Sequence, residues 1–118
     1  MTDDKIEAEI QAKGLTAPRV TPSSIEARIA NEYYFTAQDG VNGAYGSPRE
    51  APDALGLLTL CVLVMANGFT VIGKSACASP ENFDLELGRK IARQDAVNQL
   101  WPLEGYLLRE KLSGPLHT

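Results

Sequence analysis

Residues Leu57 to Ala76 read LLTLCVLVMANGFTVIGKSA, and the way this stretch folds decides the rest of the chain. Two apolar runs flank Asn67-Gly68, a pair that readily takes the positive φ angles of a tight hairpin turn. The pattern predicts a central antiparallel β-hairpin over about residues 57–76 in an α+β fold. With Asn67 and Gly68 as a two-residue turn, counting outward sets Ala66 opposite Phe69, Met65 opposite Thr70 and Val64 opposite Val71. It further sets Leu63 opposite Ile72, Val62 opposite Gly73 and Cys61 opposite Lys74. One face then carries Leu60, Val62, Val64 and Val71, and the other Cys61, Leu63, Met65 and Ile72. Both faces of the first strand are apolar, as in a strand covered on both sides. A lone hairpin has two unpaired edges and is marginal in water. The sheet is therefore expected to be completed by the segment 36–56 or by a second copy of the chain, and a homodimer is the favoured form.

Helices are expected on either side of the hairpin. Upstream, Thr21 is an N-cap candidate and Pro22 suits the first helical position. Ile25, Ile29 and Tyr33 follow at i, i+4, i+8, which predicts a helix over about 22–35. Downstream, Ser79 and Pro80 open a predicted helix over 80–100. Phe83, Leu87 and Ile91 form one stripe on it, and Gly88, Ala92 and Ala96 a second, fit for close backbone approach. Pro102 is expected to end that helix, with Trp101 as a core anchor at the corner and a last helix over 102–112. Between these elements, Thr36 to Gly56 is rich in glycine and proline and reads as a long loop, either a connector or a binding loop. At the N-terminus, TDDKIEAEIQAK predicts a marginal, peripheral helix, followed by a linker through residue 18. The organisation expected is thus 1–18 as helix and linker, 19–112 as one globular domain and 113–118 as a frayed tail.

The 118 residues suffice for one domain with a genuine core. The formal charge of −4 is uneven: residues 1–56 hold nine acidic and five basic groups, residues 57–118 six of each. This balance argues against non-specific binding to nucleic acid. No secretion signal opens the chain and no apolar run approaches the ~20 residues that cross a bilayer. The expectation is a cytosolic protein off the membrane, with Cys61 and Cys77 reduced.

The chemistry-bearing residues are few. His117 is the one histidine and lies at the frayed end, which leaves no Ser-His-Asp or Cys-His arrangement within a chain. Two cysteines sixteen apart match no zinc spacing, and neither a P-loop nor a GxGxxG is present. No catalytic residue, metal or cofactor is expected. Cys61 opposite Lys74 is one pairing with reactive potential, weighed against an inert buried thiol. Arg89, Lys90 and Arg93 form a basic patch able to hold a phosphate, against the alternative of a solvated helix face with Glu86–Lys90 at i, i+4. Asp95 borders the apolar side of the same helix, where a carboxylate must find donors; a backbone amide is one candidate and a ligand another. Tyr33, Tyr34 and Tyr45 offer stacking surfaces, Tyr45 from the middle of the glycine-rich segment.

The block TLCVLVMANGFTVIGKSACASPENFDLELGRKIARQDAVNQLWPLEGYLLREKL, with RVTPSSIEARIANEYYFTAQDGV before it, resembles a family of small proteins of tailed bacteriophages and prophages. The family is named for gene 49 of one phage and gene 66 of another. The likeness covers about Arg19 to Leu112 and is most specific in Asn67 to Val71, Ser75-Ala76-Cys77, Pro80 to Asp84 and Trp101-Pro102-Leu103. Lys74 departs from it, an acidic residue being expected there. The resemblance implies a phage-encoded protein acting in the cytoplasm of the bacterial host and carries no catalytic residues with it. The leading expectation is a non-enzymatic accessory protein that binds a host macromolecule, as an inhibitor of a defence or housekeeping component. The alternatives are an oligomeric nucleotide-sequestering protein using Arg89, Lys90, Arg93, Asp95 and Tyr45, and a nucleic-acid binder using the 80–100 helix.

Overall fold

The computed structural model describes residues 3–15, 17–46 and 52–114. Helix α1 spans Asp3–Ala12, α2 Pro22–Arg28, strand β1 Ile29–Thr36 and helix α3 Ala37–Tyr45. Strands β2 and β3 follow at Leu58–Met65 and Thr70–Ala76, and helix α4 runs from Leu85 to Leu112. Short 3-10 turns at Asp53–Leu57 and Pro80–Asn82 lead into β2 and toward α4. The fold is α+β, with one antiparallel sheet in the order β1-β2-β3.

The hairpin forms, but its turn holds three residues. Met65 N–H donates to Phe69 C=O at 2.8 Å, and Gly68 N–H donates to Met65 C=O at 2.8 Å with Gly68 at φ +88°. Such a loop sets one left-handed glycine after a tight turn instead of two positive-φ residues. The register is therefore one residue away from the count above: Leu63 faces Val71, Val62 faces Ile72, Cys61 faces Gly73 and Leu60 faces Lys74. A one-residue slip exchanges the faces of a strand. Val71 joins Thr59, Cys61, Leu63 and Met65 in the core, while Ile72 points the other way and is exposed. The expected Cys61–Lys74 pairing does not occur.

The helix expected over 22–35 ends at Arg28, and its second half becomes the third strand. Thr21 caps α2 through a bond from Ser24 N–H and Pro22 takes the first turn, as the sequence indicates. From Ile29 the residues IANEYYFT pair antiparallel with β2, Tyr33 facing Val62 and Phe35 facing Leu60. Aromatic and β-branched side chains favour this pleated, half-covered position over a helix. The sheet is thus completed from within the chain by residues before the segment 36–56. That segment is not devoid of structure: Thr36 and Asp39 form a reciprocal capping box that starts α3, and Gly46 at φ +72° closes it. Residues 47–51, with Pro48, lie outside the described residues, as do 115–118 with His117.

Helix α4 is continuous where two helices are expected. Asp84, not Ser79, is its N-cap, accepting from Leu87 N–H at 3.1 Å. Pro102 sits inside it. A proline there withholds the N–H that would bond the Asn98 carbonyl, yet Leu100 is buried and Trp101 packs against the core just before it. That packing holds the chain helical through the break in the ladder. The stripe Gly88, Ala92, Ala96 lies on the sheet, Ala92 and Ala96 fully buried against Gly73 of β3. A Cβ on Gly73 would stand 2.0 Å from the Ala92 carbonyl oxygen, so backbone meets backbone. Helix α1 is peripheral, with no buried residue, but is held by Arg19–Glu7 hydrogen bonds of 2.6 and 2.7 Å. Trp101 Nε1–H adds a bond of 3.2 Å to Asp3.

Helix α4 packs on β3 and β2 and scarcely reaches β1. The Cα radius of gyration is 18.2 Å, against about 13.5 Å for a compact chain of this length. Apolar surface remains uncovered as a result.

Candidate binding surfaces

The basic residues of α4 divide between two environments. Arg93 is clamped: its Nη1 and Nη2 donate to Glu26 at 2.8 and 2.6 Å, and its Nε donates to Glu32 at 2.9 Å. Hydrogen bonding to Glu26, with Glu32 behind it, raises the Arg93 pKa further above its already high range. Tyr34 O–H donates to the same Glu32 carboxylate at 2.5 Å. That bond, then the one from Arg93, lowers the Glu32 pKa, while burial and the carboxylate push Tyr34 up. Cys61 lies behind Tyr34, fully buried, with its pKa raised mainly by burial. A thiol in that position is protonated and inert at neutral pH.

Arg89 stands one turn earlier, with its guanidinium 5.9 Å from the centroid of the Tyr34 ring. This is cation–π distance, and it joins a planar cation to an aromatic face on the underside of β1. Lys90 points away and pairs loosely with Glu86 at 3.7 Å, both side chains strongly exposed. Asp95 faces β3, where its Oδ2 accepts the Lys74 backbone N–H at 2.9 Å. Tyr45 ends α3 with an exposed ring. Of the five candidates, the structure gathers Arg89 and Arg93 around Tyr34, turns Lys90 to solvent and gives Asp95 a main-chain donor. Glu26 and Glu32 are the residues the sequence reading missed at this place, while Tyr34, expected there as a stacking surface, is the ring beneath Arg89. The signal for Glu32 was its alternation, with Tyr34, against Tyr33 and Phe35, which marks a strand; Glu26, on α2, had no such signal.

On the other side of the sheet Gly40 of α3 approaches the Phe35 ring, and among the described residues Tyr33 and Ile72 stay exposed. Tyr33 and Phe35 of β1, Leu60, Val62 and Val64 of β2, and Ile72 of β3 share this face. Tyr33 and Ile72 are 56% and 57% exposed and Phe35 36%. The row Tyr33–Val62–Ile72 is apolar from edge to edge, and Lys74 is its charged neighbour beside Leu60. Contiguous apolar surface of this kind makes the face a candidate contact site. A separate cleft of about 230 Å3 lies between the hairpin tip and α4, lined by Met65, Phe69, Leu103 and Tyr106 with the Arg28–Glu104 ion pair of 3.2 Å. Among the described residues no cluster of three or more potential ligands for a metal occurs, and no helix is long and apolar enough to cross a membrane.

A family model described as the phage protein (N4 Gp49/phage Sf6 gene 66) family matches residues 20–112. No curated protein and no solved structure matches the chain. The matched span takes in α2, the whole sheet and α4 and leaves out α1.

Proposed function

Since this chain belongs to the phage protein (N4 Gp49/phage Sf6 gene 66) family, we propose that it is a phage accessory protein that acts by binding, without catalysis, in the cytoplasm of the bacterial host. Its partner on this reading is a host protein, held on the open face of the sheet, and the acting unit is a homodimer. The observation that carries the reading is the apolar row Tyr33–Val62–Ile72, exposed at both ends on a rigid three-stranded sheet. Interface cores are rich in such aromatic and aliphatic anchors and poor in charge. Ile72→Lys places a charge in the row without touching the buried face. Wild-type chain is expected to hold one host protein at fixed stoichiometry after reconstitution from purified components, and Ile72→Lys to lose it. Capture that is irreproducible, or indifferent to Ile72→Lys, refutes the reading.

A second reading is favoured by Arg89 over Tyr34. A guanidinium above an aromatic ring suits a planar anion such as a nucleotide, which stacks and pairs in one place. On that reading native mass spectrometry of protein from bacterial cells shows extra mass of nucleotide size, lost in Arg89→Ala. Binding to nucleic acid has less support, because Arg93 and Lys90 already face Glu26, Glu32 and Glu86.

A further inference from the structure

The two outer edges of the sheet are treated differently. On β3, Asp95 accepts the Lys74 N–H and Gln99 Nε2–H donates to the Ile72 carbonyl at 2.6 Å. The backbone groups of residues 72 and 74 thus point outward, and two of the four, the Lys74 N–H and the Ile72 C=O, are taken by side chains of α4. Alternation along each strand then fixes the rest: residues 71, 73 and 75 turn toward β2, and residues 60, 62 and 64 of β2 turn toward β1. Their partners in β1 are Phe35, Tyr33 and Asn31, so Glu32, Tyr34 and Thr36 present their main chain outward. Thr36 N–H is occupied by Asp39 Oδ2 at 2.9 Å. Among the described residues no side chain closes the outer N–H and C=O groups of Glu32 and Tyr34. An unprotected edge is a template for another strand.

We propose that two copies of this chain join antiparallel along the outer edge of β1, with the two-fold axis at Tyr33. The inference rests on the homodimer reading above and names its edge and register. In this arrangement Glu32 exchanges two main-chain hydrogen bonds with the partner's Tyr34, and Tyr34 two with the partner's Glu32. Tyr33 meets the partner's Tyr33 at the closest kind of cross-strand pair, and Phe35 meets the partner's Asn31. A register two residues earlier sets Glu32 against the partner's Glu32, which like-charge repulsion disfavours. One two residues later spends Thr36, whose N–H Asp39 already holds. The chosen register also sums the apolar surface: the row Tyr33–Val62–Ile72 runs across the axis into its own copy. The six-stranded sheet so formed carries an open face twice as wide, nearer the area a stable contact with a third molecule needs. On the other side, the two α4 helices flank a trough floored by both Tyr34 rings.

The test is disulfide trapping in the full-length chain carrying Cys77→Ser, with Cys61 left buried. At the axis the Tyr33 Cα atoms stand about 4.5 Å apart, inside the window a disulfide spans. Asn31 is displaced from its own copy by four residues, about 13 Å. Mild oxidation is expected to convert most Tyr33→Cys chains to a covalent dimer and to leave Asn31→Cys and Phe35→Cys chains single. A mixture of Asn31→Cys with Phe35→Cys chains cross-links to each other, a measurement independent of any change at Tyr33. Native mass spectrometry of the wild type is read alongside. A wild type that stays monomeric overturns the homodimer and the edge together. A dimeric wild type with no cross-link from Tyr33→Cys or from the mixture, or with equal cross-linking of Asn31→Cys alone, overturns the edge and register while the dimer stands.

Discussion

The carboxylate of Asp95 accepts the backbone N–H of Lys74 at 2.9 Å, so a side chain from helix α4 closes the outer edge of β3. One turn on, Gln99 does the same for the Ile72 carbonyl. Asp95→Ala removes a charge-assisted bond and is expected to cost about 1–2 kcal/mol in urea denaturation. It also frees an edge position, so the double variant Asp95→Ala/Gln99→Ala is expected to self-associate more strongly than wild type in sedimentation velocity. Unchanged sedimentation of the double variant would show that these bonds do not guard the edge.

Gly73 is the place where α4 and the sheet touch through their backbones. Gly73→Ala drives a methyl group to 2.0 Å from the Ala92 carbonyl and 2.4 Å from the Ala96 nitrogen. Neither atom can swing aside, so the helix must lift from a core that contains Leu63, Val71 and Leu100. A loss of about 3 kcal/mol or more is expected. Gly56→Ala, where an added Cβ meets nothing within 4 Å, serves as the control and is expected to shift stability by no more than about 0.5 kcal/mol. Comparable midpoints for the two variants would refute the close-packing account.

These two contacts mark where the sequence was readable. The small stripe Gly88–Ala92–Ala96 announced a close approach, and Asp95 on its border announced a carboxylate in need of a donor; both follow from helical spacing alone. The register did not follow, because Asn67-Gly68 serves a two-residue turn and a three-residue turn equally, and the choice between them flips Val71 and Ile72. The strand at Ile29–Thr36 was hidden by an accident of spacing: Ile25, Ile29 and Tyr33 fit a helix, while Tyr33, Tyr34 and Phe35 fit a strand, and pairing with β2 outweighs local preference. Helix α3 had a legible start in Thr36 and Asp39, a capping-box spacing masked by the glycines that follow. Pro102 misled for a tertiary reason, since Leu100 and Trp101 are anchored in the core on one side of it. The clamp of Glu26 and Glu32 on Arg93 joins residues 67 and 61 positions apart, which no local pattern foretells.

Glu7 supplies a pH-dependent contact at the other end of the molecule. The hydrogen bond from Arg19, then that from Gln11, holds its carboxyl down from the usual 4.5 to about 2. A carboxyl whose pKa is lower folded than unfolded stabilises fully above the unfolded value, and that contribution is lost as pH falls through the folded one. Docking of α1 is therefore expected to weaken between about pH 4.5 and pH 2. Trp101 reports it, being the one tryptophan of the chain and bonded through Nε1 to Asp3 of α1. Its fluorescence is expected to change across that window while hydrogen exchange in β2 stays slow. Glu7→Gln keeps Asp3 but removes the titrating partner of Arg19, so its signal at neutral pH should already resemble the acid form of the wild type. High salt should weaken the same contact only modestly, because the pair is part-buried, each side chain 22% exposed. An identical fluorescence profile in wild type and Glu7→Gln would mean that another group, not the Arg19–Glu7 pair, holds α1 in place.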